Sequence, residues 1–153
     1  MSTLFAGRSS WLTRRFPDNR WSRRNVLSGP DVTTAVTVDW VSGASMMIRR
    51  AAFDEVGGFD ERFFLYWEDA DFCRRLRTGG WLTAYVPEAA VVHHGGRSAG
   101  SDLRPLVAFH SSAFRYHLTH SGRLGRAASP LVAVILGLRL AWKMVIRRLP
   151  EAP

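Results

Sequence analysis

Phe63–Asp71 reads FFLYWEDAD, a run of large apolar and aromatic side chains that ends in three carboxylates within four positions. Burying acids beside such a run is costly unless they face a polar cleft, a helix start or a cation. Acids in a first turn, arginines one and two turns later and then Gly79–Gly80 are typical of a helix. We expect a helix over about residues 68–78, with its carboxylates at the mouth of a site. The side chains expected to face inward are Phe72, Cys73 and Leu76.

Predicted strands and helices alternate through the rest of the 153-residue chain. β-Branched and aromatic residues predict strands over 32–41 and 81–86, with a short helix over 51–56 between them. Residues 89–94 form a third short apolar segment, and helical spacing returns over 103–120. This order is typical of an α/β or α+β layer, with too few strands for a complete doubly wound sheet.

Charge is unevenly distributed around a net value of +8. Residues 25–96 carry ten acids and six arginines, whereas both flanks are strongly basic. A basic shell suits an anionic partner such as nucleic acid, anionic lipid or a nucleotide diphosphate, with a merely solvated Arg-rich surface as the alternative. The single cysteine, Cys73, excludes an internal disulfide framework and a thiolate zinc cluster.

Leu131–Ile146 is the long apolar stretch of the chain. It contains Arg139 and Lys143 and is shorter than the roughly 20 residues of a clean membrane span. We therefore interpret 128–153 as an amphipathic helix that lies on a membrane or on a partner, with a buried core helix as the alternative. The N-terminus lacks the apolar stretch of a secretory signal.

Two elements carry groups suited to chemistry: the acidic helix start and His93–His94, which precede Gly95–Gly96. A carboxylate with an imidazole can act as a general base with its orienting partner, or as part of a divalent-cation site. Capping by the acids and a surface histidine pair are the structural alternatives. Three tryptophans could stack on sugar rings or bases, although core packing is the alternative for each: Trp40, Trp67 and Trp81.

Four motifs follow one another in the middle of the chain: VDWVSGA at Val38–Ala44, VGGFDERFF at Val56–Phe64, WEDAD at Trp67–Asp71 and HHGGRS at His93–Ser98. In order and spacing they resemble the C-terminal half of the family 2 glycosyltransferases, most closely the bacterial rhamnosyltransferase- and galactofuranosyltransferase-like subgroup. The resemblance covers about residues 10–125.

The resemblance implies an α/β chain with a partial GT-A (nucleotide-diphospho-sugar transferase) fold, lacking the N-terminal nucleotide-binding half and ending in C-terminal helices. Residues 1–127 would be the acceptor-binding half, followed by the helix of 128–153. The complete family enzymes invert the anomeric centre, take a nucleotide-diphospho-sugar donor and a glycan or lipid-linked acceptor, and use Mg²⁺ or Mn²⁺. The implied setting is bacterial cell-surface polysaccharide or glycolipid synthesis, in the cytoplasm or peripherally at the inner face of the plasma membrane.

The resemblance also implies roles for single residues. Asp69 would be the catalytic base for the acceptor hydroxyl, Glu68 would shape the acceptor pocket, and Asp71 would hold the helix and a neighbouring arginine. His93 rather than His94 corresponds to a divalent-metal ligand. The acceptor side is implied for Trp40, Gly43, Ala44 and Trp67. The resemblance assigns no residue to the donor nucleotide.

We expect no counterpart here of the Asp-x-Asp motif that binds the metal and the diphosphate in the family, because Asp31 stands alone and Asp69 and Asp71 belong to the acidic helix start. We expect no transfer from this chain alone, so it would be a fragment, a partner of a separately encoded N-terminal half, or inactive. One alternative is a non-catalytic module that binds a membrane or nucleic acid, although no standard nucleic-acid motif is present and we expect no nucleic-acid partner. The other is a small metal-dependent hydrolase using Asp69, His93 and His94, which has few ligands at metal spacing.

Overall fold

A computed structural model describes residues 33–92 and 103–148 of the chain. Its elements are β1 (Val36–Val38), α1 (Arg50–Glu55), α2 (Glu68–Thr78), β2 (Thr83–Tyr85), α3 (Arg104–His120), α4 (Arg123–Ala127) and α5 (Ser129–Arg148). The two strands pair in a two-stranded sheet. The described part is therefore mixed, with much more helix than strand, and the helices predicted over 68–78 and 103–120 are confirmed.

The chain divides into two compact units. One is formed by Thr37–Ala84 and Val91–Pro153 and contains all the helices of the described residues. The described residues of the other unit include Tyr85–Ala90, where the Ala89 N–H donates to the Val86 carbonyl at 3.2 Å and closes a turn. The candidate site described below lies within the first unit.

A small apolar core joins α1 to α2. Phe72, which is fully buried, and Leu76 pack with Ala52 of α1. The Phe72 ring centroid lies 5.7 Å from that of Phe53 and 4.7 Å from that of Phe59. The inward-facing set predicted for this helix, Phe72, Cys73 and Leu76, is buried in the structure.

Both strands are shorter than the sequence predicts. Of the described residues 33–41 only Val36–Val38 form a strand, and of residues 81–86 only Thr83–Tyr85 do so. Residues 89–92 of the third apolar segment are irregular, and its end lies outside the described residues. A strand needs a hydrogen-bonded neighbour, and within the described residues each strand pairs with only one other.

Helix α5 packs along α3. Val132 and Leu136 of α5 are buried, as is Ala113 of α3, and the Arg139 guanidinium lies 5.4 Å from the Phe109 ring centroid. By length and composition alone, Ser129–Arg147 is also the one helical segment in the described ranges that could cross a membrane. The suggested boundary between residues 127 and 128 stays a prediction.

Candidate active site

The acidic helix is entered through a strained piece of backbone. Tyr66 has φ 65° and Trp67, at the N-cap of α2, has φ 70°. Among the described residues these are the two non-glycine positions with positive φ. Such a conformation costs on the order of 1–3 kcal/mol for a non-glycine residue and persists only where its surroundings hold it. The structure must therefore contain contacts that fix this turn.

Helix α3 supplies those contacts. The Ser112 hydroxyl donates to the Leu65 carbonyl at 3.0 Å. The Phe109 ring lies with its centroid 5.8 Å from those of both Tyr66 and Trp67. Tyr116 adds a second ring, 5.1 Å from Trp67. The strained turn is thus held between α2 and an aromatic face of α3.

Asp69 lies in the first turn of α2, directly after this strained backbone. Its Oδ2 accepts the Gly43 N–H at 2.9 Å, and its Oδ1 accepts the Ala70 N–H at 2.7 Å. The side chain is half-buried and remains reachable from solvent. Each carboxylate oxygen has a lone pair left over, so the group is held in one orientation while it can still accept a proton.

Glu68, the neighbouring carboxylate, is also half-buried. Burial raises the pKa of the Glu68 carboxyl, and the nearby charge of Asp69 raises it further. Its Oε2 is buried without a hydrogen-bond partner, and so is the indole Nε1 of Trp67. Buried polar atoms in native proteins almost always have a hydrogen-bond partner, so these two unpaired atoms mark a place where a further group could bind.

Asp71 has a different role in the structure. It is fully buried, and its two oxygens accept from Arg75 Nε at 2.7 Å and from His120 Nε2 at 2.6 Å. Arg75 also donates to the carbonyls of Val56 and Gly58, both at 2.7 Å. Asp71 therefore ties α2 to the loop after α1 and to the end of α3, and the pairing expected with a neighbouring arginine is present.

The loop that contains the other predicted acceptor residues is exposed. Gly43 and Ala44 lie in a turn closed by the Ser45 N–H, which donates to the Ser42 carbonyl at 3.2 Å. Trp40 is 44 % exposed, so it is available for stacking and is not a core residue. Asp39, which precedes it, pairs with Arg77 of α2. The structure thus brings Gly43 directly to Asp69 and leaves Trp40 exposed to solvent.

The predicted metal ligand, His93, lies outside the described residues, as does His94. Within residues 33–92 and 103–148, no three His, Cys, Asp or Glu side chains are grouped so that they could hold a metal ion. The described residues therefore do not by themselves supply a cation site.

Sequence reasoning missed the part played by α3. Four of its residues recur at i, i+4, i+7 and i+11 and lie toward the acidic segment or the core: Phe109, Ala113, Tyr116 and His120. This spacing marks one face of a helix, and three aromatic rings on such a face were a usable signal. The spacing alone could not show that this face meets Trp67 and Asp71.

Comparison with known proteins identifies the family to which the chain belongs. The model of the glycosyltransferase like family 2 matches residues 19–107, more than half of the chain. The chain is 48 % identical over 87 residues to the N-acetylglucosaminyl-diphospho-decaprenol L-rhamnosyltransferase of Mycobacterium tuberculosis, covering 56 % of this chain and 28 % of that protein. No solved structure matches the chain.

Two further relatives agree with this family. Rhamnosyltransferase WbbL of Escherichia coli is 41 % identical over 86 residues, covering 56 % of this chain and 30 % of that protein. The pre-mycofactocin glycosyltransferase of Mycobacterium tuberculosis is 34 % identical over 130 residues, covering 71 % and 27 %. The chain spans less than a third of the length of each of these relatives. By its match to the family model, the chain belongs to the glycosyltransferase like family 2.

Proposed function

We propose that this chain carries the acceptor side of a GT-A glycosyltransferase, with Asp69 as the general base. The contact that supports the proposal most is the Gly43 N–H bound to Asp69 Oδ2 at 2.9 Å. It joins two of the motifs that the family model spans, although they are 26 residues apart in the chain. A half-buried carboxylate with a fixed orientation beside an open loop is suited to taking a proton from a bound hydroxyl.

The proposed reaction is a single displacement. A sugar hydroxyl is a weak nucleophile, so Asp69 accepts its proton while the oxygen attacks the anomeric carbon of the donor. The bond from that carbon to the diphosphate breaks on the opposite face, which inverts the configuration. The proton ends on Asp69, and the nucleoside diphosphate leaves with the electron pair.

Glu68 and Trp67 would hold the acceptor. In this proposal the unpartnered Glu68 Oε2 accepts a hydrogen bond from an acceptor hydroxyl, and the unpartnered Trp67 Nε1 donates one, once the bound acceptor has opened access to them. Trp40, exposed beyond the Gly43–Ala44 turn, would offer a face for a sugar ring. An acceptor held by these groups would meet Asp69 from the open side of the loop.

We expect the donor to bind to the part of such an enzyme that has no counterpart in this chain. A nucleotide-diphospho-sugar is the proposed donor, and a glycan or lipid-linked sugar in cell-surface polysaccharide or glycolipid synthesis the proposed acceptor. The relatives named above are rhamnosyl- and glycosyltransferases, which supports this substrate class. With such a donor and acceptor, the enzyme would act at the cytoplasmic side of the membrane.

Mg²⁺ or Mn²⁺ is the proposed cofactor of the complete enzyme, where it would neutralise charge on the leaving diphosphate. His93 is the proposed ligand from this chain, by family resemblance alone. In the complete enzyme, His93→Ala should raise the metal concentration needed for half-maximal activity more than His94→Ala does. The reverse ranking in a metal titration would overturn the choice between the two histidines.

The base assignment is tested by Asp69→Asn in an active enzyme that includes this chain, either within a longer protein or together with a separately encoded N-terminal half. Asparagine has nearly the same shape and keeps one oxygen for the Gly43 N–H, but it cannot take the proton. Transfer should fall about 10²–10⁴-fold, the usual contribution of a general base. Binding of the nucleotide-sugar, measured by calorimetry, should stay close to that of the parent.

Asp54→Asn is the matched control, because Asp54 is an exposed helical aspartate that pairs only at the surface with Arg50. It should leave turnover unchanged. If Asp69→Asn transfers sugar as fast as Asp54→Asn does, Asp69 is not the base. If Asp69→Asn loses donor binding while Asp54→Asn keeps it, the Asp69 carboxylate acts in structure and the proposed role as the base is wrong.

A further inference from the structure

Helix α5 carries an apolar surface that the rest of the described structure leaves uncovered. Its members are large and exposed, and they recur every three or four residues; we call them the α5 stripe: Leu131, Val134, Ile135, Leu138, Trp142, Val145 and Ile146. Trp142 and Leu138 are 64 % and 67 % exposed. At about 1.5 Å per residue the stripe is roughly 22 Å long, and at about 100° per residue it covers roughly a third of the helix circumference.

A neighbouring face of the same helix is already used. Val132 and Leu136 are buried against the body of the unit, and the Arg139 guanidinium lies over Phe109 of α3. The Arg139 side chain is half-buried, and this burial lowers the pKa of its guanidinium. To cross a bilayer alone, α5 would have to leave α3, uncover these residues and carry Arg139 and Lys143 into hydrocarbon, which is costly.

The positive charge of the segment that contains the α5 stripe favours an anionic partner. Residues 103–148 contain eight arginines and lysines and no aspartate or glutamate. Among the exposed cations are Arg123 and Arg126 on α4, next to Leu124, which is 89 % exposed, and Lys143 on α5 beside Trp142. Apolar side chains with a tryptophan, on a stretch that has cations and no acids, match an interface of acyl chains and anionic headgroups.

We propose that α5 docks in the plane of an anionic phospholipid bilayer, with the α5 stripe in the acyl boundary and the nearby cations among the headgroups. The helix keeps its contacts with α3 in this arrangement. Arg139 contacts Phe109, and Phe109 contacts Trp67, so the docked helix lies two side-chain contacts from the acidic segment. If the proposed function holds, this position suits an acceptor carried on a lipid.

The test is sedimentation of the 153-residue chain with vesicles of phosphatidylcholine alone or with about a third phosphatidylglycerol. The chain should bind the anionic vesicles with a blue shift in tryptophan emission, and high salt should weaken that binding. The double variant L138D/W142D should bind at least about tenfold more weakly, because two apolar contacts are lost and two like charges face the headgroups. Leu82→Asp is the control, since Leu82 is 79 % exposed but lies outside α5; it should bind as the parent does.

Three results would overturn the proposal. The first is no binding to the anionic vesicles, or equal binding by the parent and L138D/W142D. The second is binding that survives extraction at high pH with carbonate, which indicates a helix that spans the bilayer. The third is a dimer in sedimentation without lipid that L138D/W142D abolishes, which shows that a second copy covers the stripe. None of these readouts depends on sugar transfer, so they leave the role of Asp69 open to its own test.

Discussion

Replacing Asp71 by alanine should strongly destabilise the chain. The carboxylate is fully buried and accepts two short hydrogen bonds, from Arg75 and from His120. Removing one partner of a buried ion pair costs about 3–5 kcal/mol. Arg75 is about a quarter exposed (26 %) and keeps its bonds to two carbonyls, so we expect the lower end, about 3 kcal/mol. Asp71→Asn keeps one acceptor oxygen and should lose about 2 kcal/mol.

The assay is urea unfolding of the 153-residue chain, followed by circular dichroism at the helical band. With a slope of about 2 kcal/mol per molar urea, Asp71→Ala should lower the midpoint by roughly 1.5 M. Asp54→Ala is the control, because Asp54 forms the same i,i+4 type of pair with Arg50 at the surface, where their side chains are 54 % and 87 % exposed. It should cost about 0.5 kcal/mol or less. Equal losses for the two variants would refute the reasoning that burial of the Asp71 pair makes the difference.

Two further predictions concern stability. The Glu68 carboxyl has a raised pKa in the folded chain, so its contribution to stability is fully present below its unfolded pKa near 4.5 and is lost as the pH rises through the raised value. Glu68→Gln should therefore raise the melting temperature at pH 7 but not at pH 4. A shift of the same size at both pH values would contradict this. Gly58→Ala should lower the free energy of unfolding in urea by about 1–3 kcal/mol, because Gly58 has φ +71° and an added Cβ would lie 3.0 Å from Cζ of Phe53. Gly57→Ala is the control, since Gly57 has φ +76° but open space around it, and it should lower the free energy less. Equal losses would show that the contact with the Phe53 ring is unimportant.

Local patterns predicted the helices well. The bounds of α2 agree with the expected 68–78 because charge order and the glycines after the helix act within a few residues of the backbone. Strand lengths were overestimated because a strand ends where its partner ends, and the partner of β1 lies more than 40 residues away in the chain. Propensity contains no information about that distance.

The sequence could suggest the residues of the candidate site but not the contacts between them. The motifs placed Asp69 and Gly43 in one site by resemblance, and the structure adds the hydrogen bond between them. The left-handed backbone at Trp67 could not be predicted, because a large aromatic residue disfavours that conformation locally. His120 was missed for the same kind of reason, since its partner Asp71 is 49 positions away and only tertiary packing joins them.

Helix α3 also bears on the smallest piece of this chain that can keep the geometry of the site. The family match ends at residue 107, whereas the side chains that hold the acidic segment come later: Phe109, Ser112, Tyr116 and His120. A piece trimmed to the match would retain Asp69 and Gly43 in its sequence. It would lose the aromatic rings of α3 that hold Trp67 in its strained backbone conformation. Trp67 could then relax and the carboxylate would turn with it. The contacts that hold the candidate site thus extend at least to His120, beyond the end of the family-model match.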